Sequence, residues 1–141
     1  MLNKQDILEM YSVFNEVASG KKKSSLELAE TYFTPDVVFT INEVSMAKNS
    51  EEMQQHMGLA VEDLQSLVFV PQQIIKTENG FVTSHFSLVK YNNGKEAKLI
   101  VLNIFKTRGD KIYSWYGVAA PANPSAQSGD DLDTFLKKVE L

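Results

Sequence analysis

The stretch from Glu96 to Ala120, EAKLIVLNIFKTRGDKIYSWYGVAA, contains two runs of β-prone residues on either side of Arg108-Gly109-Asp110. This pattern predicts a long antiparallel hairpin, with the rest of the chain covering one of its sides. Successive side chains of a strand point to opposite faces of the sheet. One face of the first strand therefore carries Leu99, Val101, Asn103 and Phe105, and the other carries Ile100, Leu102 and Ile104.

Asn103 is the one amide on an otherwise apolar strand face. A buried amide without a partner would cost about 1 to 3 kcal/mol, so we expect Asn103 either to bond within the protein or to face a ligand. A three-residue loop at 108–110 would pair Asn103 with Trp115, and a two-residue loop would bring Tyr116 opposite instead. We predict the first pairing, with Trp115 in the wall of a pocket.

The bulk composition is that of an ordinary globular domain. The chain has 141 residues, 43% of them hydrophobic, a formal net charge of −4 and no cysteine. We expect one domain over residues 1–120, with a linker and a docked C-terminal helix over 121–141. The charge argues against a nucleic-acid partner, and no apolar run is long enough to cross a membrane. We expect a soluble, unprocessed cytoplasmic protein without a cofactor.

The order of elements follows from periodicity and turn signals. Asn3 with Asp6 predicts a capped helix over about 4–19, a second helix begins at Ser24 or Ser25, and a third begins at Asn49 or Ser50. A strand lies between the second and third helices, and four more strands follow, joined at Asn79-Gly80, Asn92-Asn93-Gly94 and the 108–110 loop. In the strand over 81–91, the more apolar face carries Phe86, so His85 is predicted to lie outside the pocket.

Few residues are candidates for chemistry. The two histidines have no zinc spacing, and no phosphate loop, nucleophile elbow or dinucleotide motif is present, so neither a metal nor a cofactor is predicted. Glu43 shares strand parity with Ile41 and is a candidate base, with a solvated carboxylate as the alternative. His56 lies on the flank of the third helix's apolar stripe, either as a boundary residue or as the acid–base partner of Glu43.

The chain resembles the superfamily that joins nuclear transport factor two, the SnoaL-like polyketide cyclases and ketosteroid isomerase. The resemblance covers about residues 4 to 119. Its best local matches are AETYFTPDVVFT, Ala29 to Thr40, and LNIFKTRGDKIYSW, Leu102 to Trp115, where Asn103 stands in place of the family's acid. It implies a cone-shaped α+β fold, with a strongly bent antiparallel sheet that encloses helices, and here an extra C-terminal helix.

Carried over to this sequence, the resemblance weakens an isomerase assignment. The isomerase's general base falls at Ile41, its oxyanion-binding tyrosine falls near Val13 or Phe14, and its protonated acid falls at Asn103. An asparagine can donate a hydrogen bond to an oxyanion but cannot relay a proton.

Two functions are consistent with this reading. The first is the binding of a small, largely apolar ligand in an internal pocket, with isomerase-, cyclase- or dehydratase-type chemistry as an option; its predicted lining is Phe39, Ile41, Met57, Phe86, Val101, Asn103 and Trp115. The second is a non-catalytic oligomerisation or protein-interaction module with a residual pocket. In both cases we expect a homodimer through the outer sheet face that carries Ile100, Leu102 and Ile104.

Overall fold

The computed structural model describes residues 1–19, 25–59 and 64–122. The helices are α1 (Lys4–Ala18), α2 (Ser25–Tyr32) and α3 (Ser50–Leu59), and the strands are β1 (Phe33–Ile41), β2 (Val44–Ala47), β3 (Leu64–Thr77), β4 (Gly80–Tyr91), β5 (Glu96–Arg108) and β6 (Lys111–Ala122). They form an α+β fold with a single six-stranded sheet in the order β2-β1-β6-β5-β4-β3. The predicted C-terminal helix lies outside the described residues.

The sheet is mixed, whereas an antiparallel sheet was predicted. β1 pairs with β6 in parallel, and the other neighbouring strands pair antiparallel. The parallel pair arises because α2 and β1 come before the meander and β1 joins the sheet beside its last strand. The core lies between the helices and one face of the sheet, which we call the inner face; the opposite face is the outer face.

Helix α1 is fixed by side-chain hydrogen bonds at both of its ends. Asn3 and Asp6 form the predicted capping box, in which each side chain accepts from the other residue's backbone N–H. At the other end, the Asn15 amide bonds both backbone groups of Phe69, at 2.7 and 2.9 Å. Because β3 is an edge strand, this amide satisfies backbone groups that would otherwise have no partner, and it holds α1 against the sheet.

A short hairpin that the sequence analysis missed follows β1. The strand ends at Ile41, and Asn42 and Glu43 form a two-residue turn with φ of 50° and 66°, the left-handed geometry favoured in tight hairpins. The Asn42 side chain also bonds both backbone groups of Ala119 in β6. Glu43 is therefore an exposed turn residue, not a continuation of the strand.

The predicted pairing of Asn103 with Trp115 is wrong by two residues along β6. Asn103 lies opposite Gly117, and Trp115 lies opposite Phe105. The turn itself has two residues, Gly109 and Asp110, but the register shifts beyond it and leaves one extra residue in β6. The shorter turn and the extra residue each shift the pairing by one residue. The total shift of two residues leaves Trp115 on the same face as Asn103.

The two faces of β4 are opposite to the prediction. The inner face carries Thr83, His85 and Ser87 between the buried Phe81 and Val89, whereas Phe86 pairs with Ile100 on the outer face. The outer face also carries Ile100, Leu102 and Ile104, with 44%, 54% and 46% of their surface exposed. The middle of β4 thus turns three polar side chains toward the core, while apolar side chains of β4 and β5 lie on the outer face.

Candidate functional site

A cavity of about 350 Å³ lies between α1 and the inner face of the sheet. Its walls are mostly aromatic and aliphatic, and include Phe14, Phe39, Ile41, Phe69, Val101 and Trp115. The Trp115 indole is the centre of the aromatic wall, because Phe39 stacks on it at a centroid distance of 4.0 Å and Phe14 stacks at 5.7 Å. A cavity of this size and composition suits a small apolar molecule.

Five buried side chains from α1, β4, β5 and β6 form a hydrogen-bonded set beside the cavity: Tyr11, Thr83, His85, Asn103 and Trp115, which we call the polar network. The Tyr11 hydroxyl lies 2.8 Å from Thr83 Oγ1 and 2.8 Å from His85 Nδ1. The Asn103 Nδ2 lies 3.1 Å from both of those acceptor atoms. The Trp115 indole N–H donates to Asn103 Oδ1 at 2.8 Å.

The geometry of β6 makes room for the amide of Asn103. Gly117 lies directly opposite it, and a Cβ at that position would stand 3.1 Å from Asn103 Oδ1 and 3.6 Å from the indole nitrogen of Trp115. Most other residues at this position would therefore crowd the contact between amide and indole. The register places a glycine opposite Asn103, and the absence of a side chain there leaves space for the hydrogen bond between the amide and the indole.

Burial determines the protonation states in and near the network. It raises the pKa of Tyr11 to about 12, against smaller opposing effects from hydrogen bonds with Thr83 and Asn103. It lowers the pKa of His85 to about 4, and it also lowers the pKa of His56, which lines the cavity and makes an edge-to-face contact with Phe39. Both imidazoles are therefore neutral near pH 7. Among the residues described, the cavity lining has no carboxylate.

Four of the predicted ligand-binding residues lie in the cavity wall: Phe39, Ile41, Val101 and Trp115. Asn103 is 1% exposed and its amide is bonded within the protein, as one of the two expectations for it required. Phe86 is on the outer face, where the Lys98 ammonium lies 4.1 Å from its ring centroid, so its placement in the pocket was wrong. The Met57 side chain lies outside the described residues.

The predicted acid–base pair of Glu43 and His56 is not assembled. His56 lines the cavity, but Glu43 is in the exposed turn and its carboxylate accepts a hydrogen bond from the Tyr116 hydroxyl. The failure has a local cause, since the tight turn at Asn42 and Glu43 ends the alternation from which the position of Glu43 was predicted. No group of three or more potential metal ligands occurs in the described part of the chain.

Sequence reasoning missed Tyr11, Thr83 and His85 as site residues. The resemblance placed the helix tyrosine near Val13 or Phe14, but the phenol that contacts Asn103, at 3.3 Å, belongs to Tyr11, two or three residues earlier. His85 was placed outside the pocket, yet the residue is 3% exposed and its ring packs against both Tyr11 and Phe69. The signal that could have located it is its cross-strand partner Val101, an inward-facing residue.

Comparisons with known structures support the fold. An NTF2-like protein from Exiguobacterium sp. 255-15 aligns over 82% of this chain and 98% of its own, with a TM-score of 0.66 and 18% identity. A putative SnoaL-like polyketide cyclase from Jannaschia sp. CCS1 aligns over 91% and 88%, with a TM-score of 0.66 and 9% identity. TerC, co-crystallised with polyporic acid, aligns over 82% and 89%, with a TM-score of 0.68 and 15% identity.

No family profile matches the chain, and no curated protein matches it in sequence. The fold is that of the nuclear transport factor two-like and SnoaL-like proteins, as predicted. None of the helices in the described ranges is long and apolar enough to cross a bilayer.

Proposed function

We propose that the protein binds a small, largely apolar ligand, aromatic in character, in the cavity between α1 and the sheet. The observation that carries the proposal is the cavity itself: about 350 Å³ of space beside stacked aromatic rings, with a few polar groups at defined positions. A concave, mostly apolar surface with a few polar groups at fixed positions is the usual composition of a small-molecule site.

The fold supports the same proposal. TerC, which shares this fold, was crystallised with the small molecule polyporic acid. The low identity transfers only the architecture, so the chemistry of this cavity must be judged from its own residues. Those residues favour aromatic and aliphatic contact, with His56, His85 and Ser87 as polar groups in the lining.

The experiment is a thermal-shift screen with small aromatic and carbonyl compounds, on the parent and two matched variants. Ala119→Leu adds volume at a position that lines the cavity, whereas Ala120→Leu adds the same volume at the exposed neighbouring position. Compounds that bind in the cavity should raise the Tm of the parent and of Ala120→Leu, and raise that of Ala119→Leu much less. Equal responses from all three proteins would refute the proposed site.

Catalysis would have to begin from one of the two imidazoles in the lining, His56 or His85, because Glu43 lies in the exposed turn and does not line the cavity. A neutral imidazole with a lowered pKa can accept a proton, but no described residue of the lining is a carboxylate that could orient it. The contacts therefore favour binding over acid–base chemistry. An NMR titration that placed the His56 pKa at or above 7 in the presence of a ligand would reopen the catalytic alternative.

A second candidate function is self-association through the outer face. We propose a homodimer because Ile100, Leu102, Ile104 and Val118 expose a contiguous apolar surface on β5 and β6, which is unusual on a monomer. An uncharged apolar patch is complementary to its own copy, as an isologous interface requires. Light scattering at micromolar concentration tests it, and a monomeric mass would exclude it.

A further inference from the structure

The orientation of the Asn103 amide follows from its contact with Trp115. An indole nitrogen can only donate, so the atom 2.8 Å from it must be the amide oxygen of Asn103. The amide nitrogen therefore points the other way, toward Thr83 Oγ1 and His85 Nδ1, each at 3.1 Å. The indole thus determines which end of the amide faces the imidazole.

The amide in turn determines the tautomer of His85. An amide nitrogen can only donate, so Nδ1 must be an acceptor at this distance; a proton on Nδ1 would set two N–H groups against each other. The Tyr11 hydroxyl, 2.8 Å from the same nitrogen, faces the same lone pair, so the hydroxyl and the amide share one acceptor. The proton of the neutral ring is consequently on Nε2.

The Nε2–H group has no hydrogen-bond partner in the described part of the chain. Among the described residues, Nε2 is not one of the side-chain atoms that are both fully enclosed and without a partner, so the atom has some accessible surface. The His85 ring lines the cavity. Although the residue is only 3% exposed, its free N–H is therefore reached from the cavity. An apolar cavity with a fixed N–H donor in its wall selects for a ligand atom that accepts.

Building on the proposed binding function, we propose that His85 is the specificity-determining residue of the cavity and donates its Nε2–H to a carbonyl oxygen of an otherwise apolar, aromatic ligand. The imidazole, not the Asn103 amide, is then the group that donates to the ligand. Asn103 is a positioning residue, because its amide nitrogen holds the His85 ring in one tautomer. A ligand that presents an amine or ammonium group at this point would face a donor, with no carboxylate in the described lining to receive it.

The tautomer is tested directly by long-range ¹H–¹⁵N correlation spectra of the protein at pH 7. We expect the His85 spectrum to show a protonated Nε2 and an unprotonated Nδ1. The opposite pattern would overturn the proposal, because Nε2 would then be an acceptor. His56, which lies outside the polar network, provides an internal comparison in the same spectrum.

The specificity is tested with two probes of nearly equal shape, acetophenone and α-methylstyrene, in which C=O replaces C=CH₂. Their affinities can be measured by NMR titration, with the single indole N–H signal of Trp115 as the reporter. One net hydrogen bond predicts that the parent protein binds acetophenone about fivefold to tenfold more tightly. We expect this ratio to fall to about one in His85→Phe and to persist in Ser87→Ala, which removes another polar group of the lining.

Each outcome discriminates. A ratio near one in the parent, its survival in His85→Phe or its loss in Ser87→Ala would overturn the assignment to His85 while leaving apolar binding in place. If neither probe binds, the proposed ligand site itself fails, and this inference fails with it. If His85→Phe does not fold by circular dichroism, the parent ratio, the Ser87→Ala ratio and the tautomer decide the question.

Discussion

Replacing Asn103 with leucine should destabilise the protein, because the amide is bonded within the polar network. Leucine is similar in volume but cannot accept the Trp115 N–H, which is buried and has its hydrogen bond from this one contact. Thr83 and His85 keep the Tyr11 hydroxyl as a partner, so the indole N–H is the main group left unsatisfied. A stranded buried donor costs about 1 to 3 kcal/mol, and we expect the free energy of unfolding to fall by that amount.

A double-mutant cycle isolates this cause. Trp115→Phe removes the N–H donor, so in the double variant leucine no longer strands it. We expect the double variant to be more stable than the sum of the two single losses by about 1 to 3 kcal/mol, a coupling typical of directly bonded residues. The assay is urea unfolding followed by far-UV circular dichroism, because Trp115 is the one tryptophan and its replacement removes the fluorescence signal.

The matched control is Asn92→Leu, the same chemical change in the exposed turn between β4 and β5, which should alter stability by less than about 0.5 kcal/mol. The slopes of the unfolding curves should be equal among variants, so that the midpoints report stability. If the effects of Asn103→Leu and Trp115→Phe add within about 0.5 kcal/mol, the amide does not satisfy the indole and the tautomer argument loses its first step.

Three further predictions concern pH, docking and assembly. Because burial lowers the pKa of His85 from 6.5 to about 4, the unfolded chain binds a proton in that interval and the folded protein does not. Stability should therefore decline by about 3 kcal/mol as the pH falls from about 6.5 to about 4, and His85→Gln should flatten this slope in urea melts more than His56→Gln does. Asn15→Ala should lower stability by about 1 to 3 kcal/mol in the same melts, since it strands both backbone groups of Phe69, and unchanged stability would mean that water replaces the contact. Leu102→Lys, on the outer face, should convert a homodimer into a monomer by light scattering while the circular dichroism spectrum stays the same; a dimer that persists would place the interface elsewhere.

Local signals accounted for much of the fold. The cap of α1 and the positions of the three turns of the meander were predicted, though not the length of the third, because each depends on a few adjacent residues, such as Asn3 with Asp6 or Asn79 before Gly80. The hairpin at Asn42 and Glu43 was missed because it has no such local signal. Two left-handed residues usually have the sequence Asn-Gly or Asp-Gly, and Asn-Glu is not a usual sequence for such a turn.

The register of β5 and β6 could not be predicted from the loop length alone. Gly109 and Asp110 form a two-residue turn, which by itself would have brought Tyr116 opposite Asn103. The extra residue in β6 then restores the parity that places Trp115 on the inner face. Bulges depend on side-chain packing and twist across the whole sheet, so their presence leaves little trace in the sequence of one strand.

The location of His85 could have been deduced, although its hydrophobic pattern pointed the wrong way. Closing the 92–94 turn on Tyr91 and Lys95 pairs Thr83 with Asn103 and His85 with Val101. Directly opposed residues in an antiparallel pair lie on the same face, so an inward Asn103 requires an inward Thr83, and His85 follows by alternation. The contact of Tyr11 with Asn103 and His85 could not be predicted by counting residues from a turn, because it depends on where α1 packs on the sheet.

The inverted faces of β4 connect the two proposals. A one-residue change of register would have buried Val82, Phe86 and Leu88 and exposed Thr83, His85 and Ser87, but it would also have exposed Phe81 and Val89, which flank them on the inner face. The chain instead buries the polar set, whose desolvation is offset only where hydrogen bonds are made. Thr83 is satisfied by the polar network, but the Nε2–H of His85 has no described partner. The same register leaves Ile100, Leu102 and Ile104 exposed on the outer face. Each side of the sheet therefore favours a contact made from outside the chain, a ligand oxygen on the inner face and an apolar surface on the outer face.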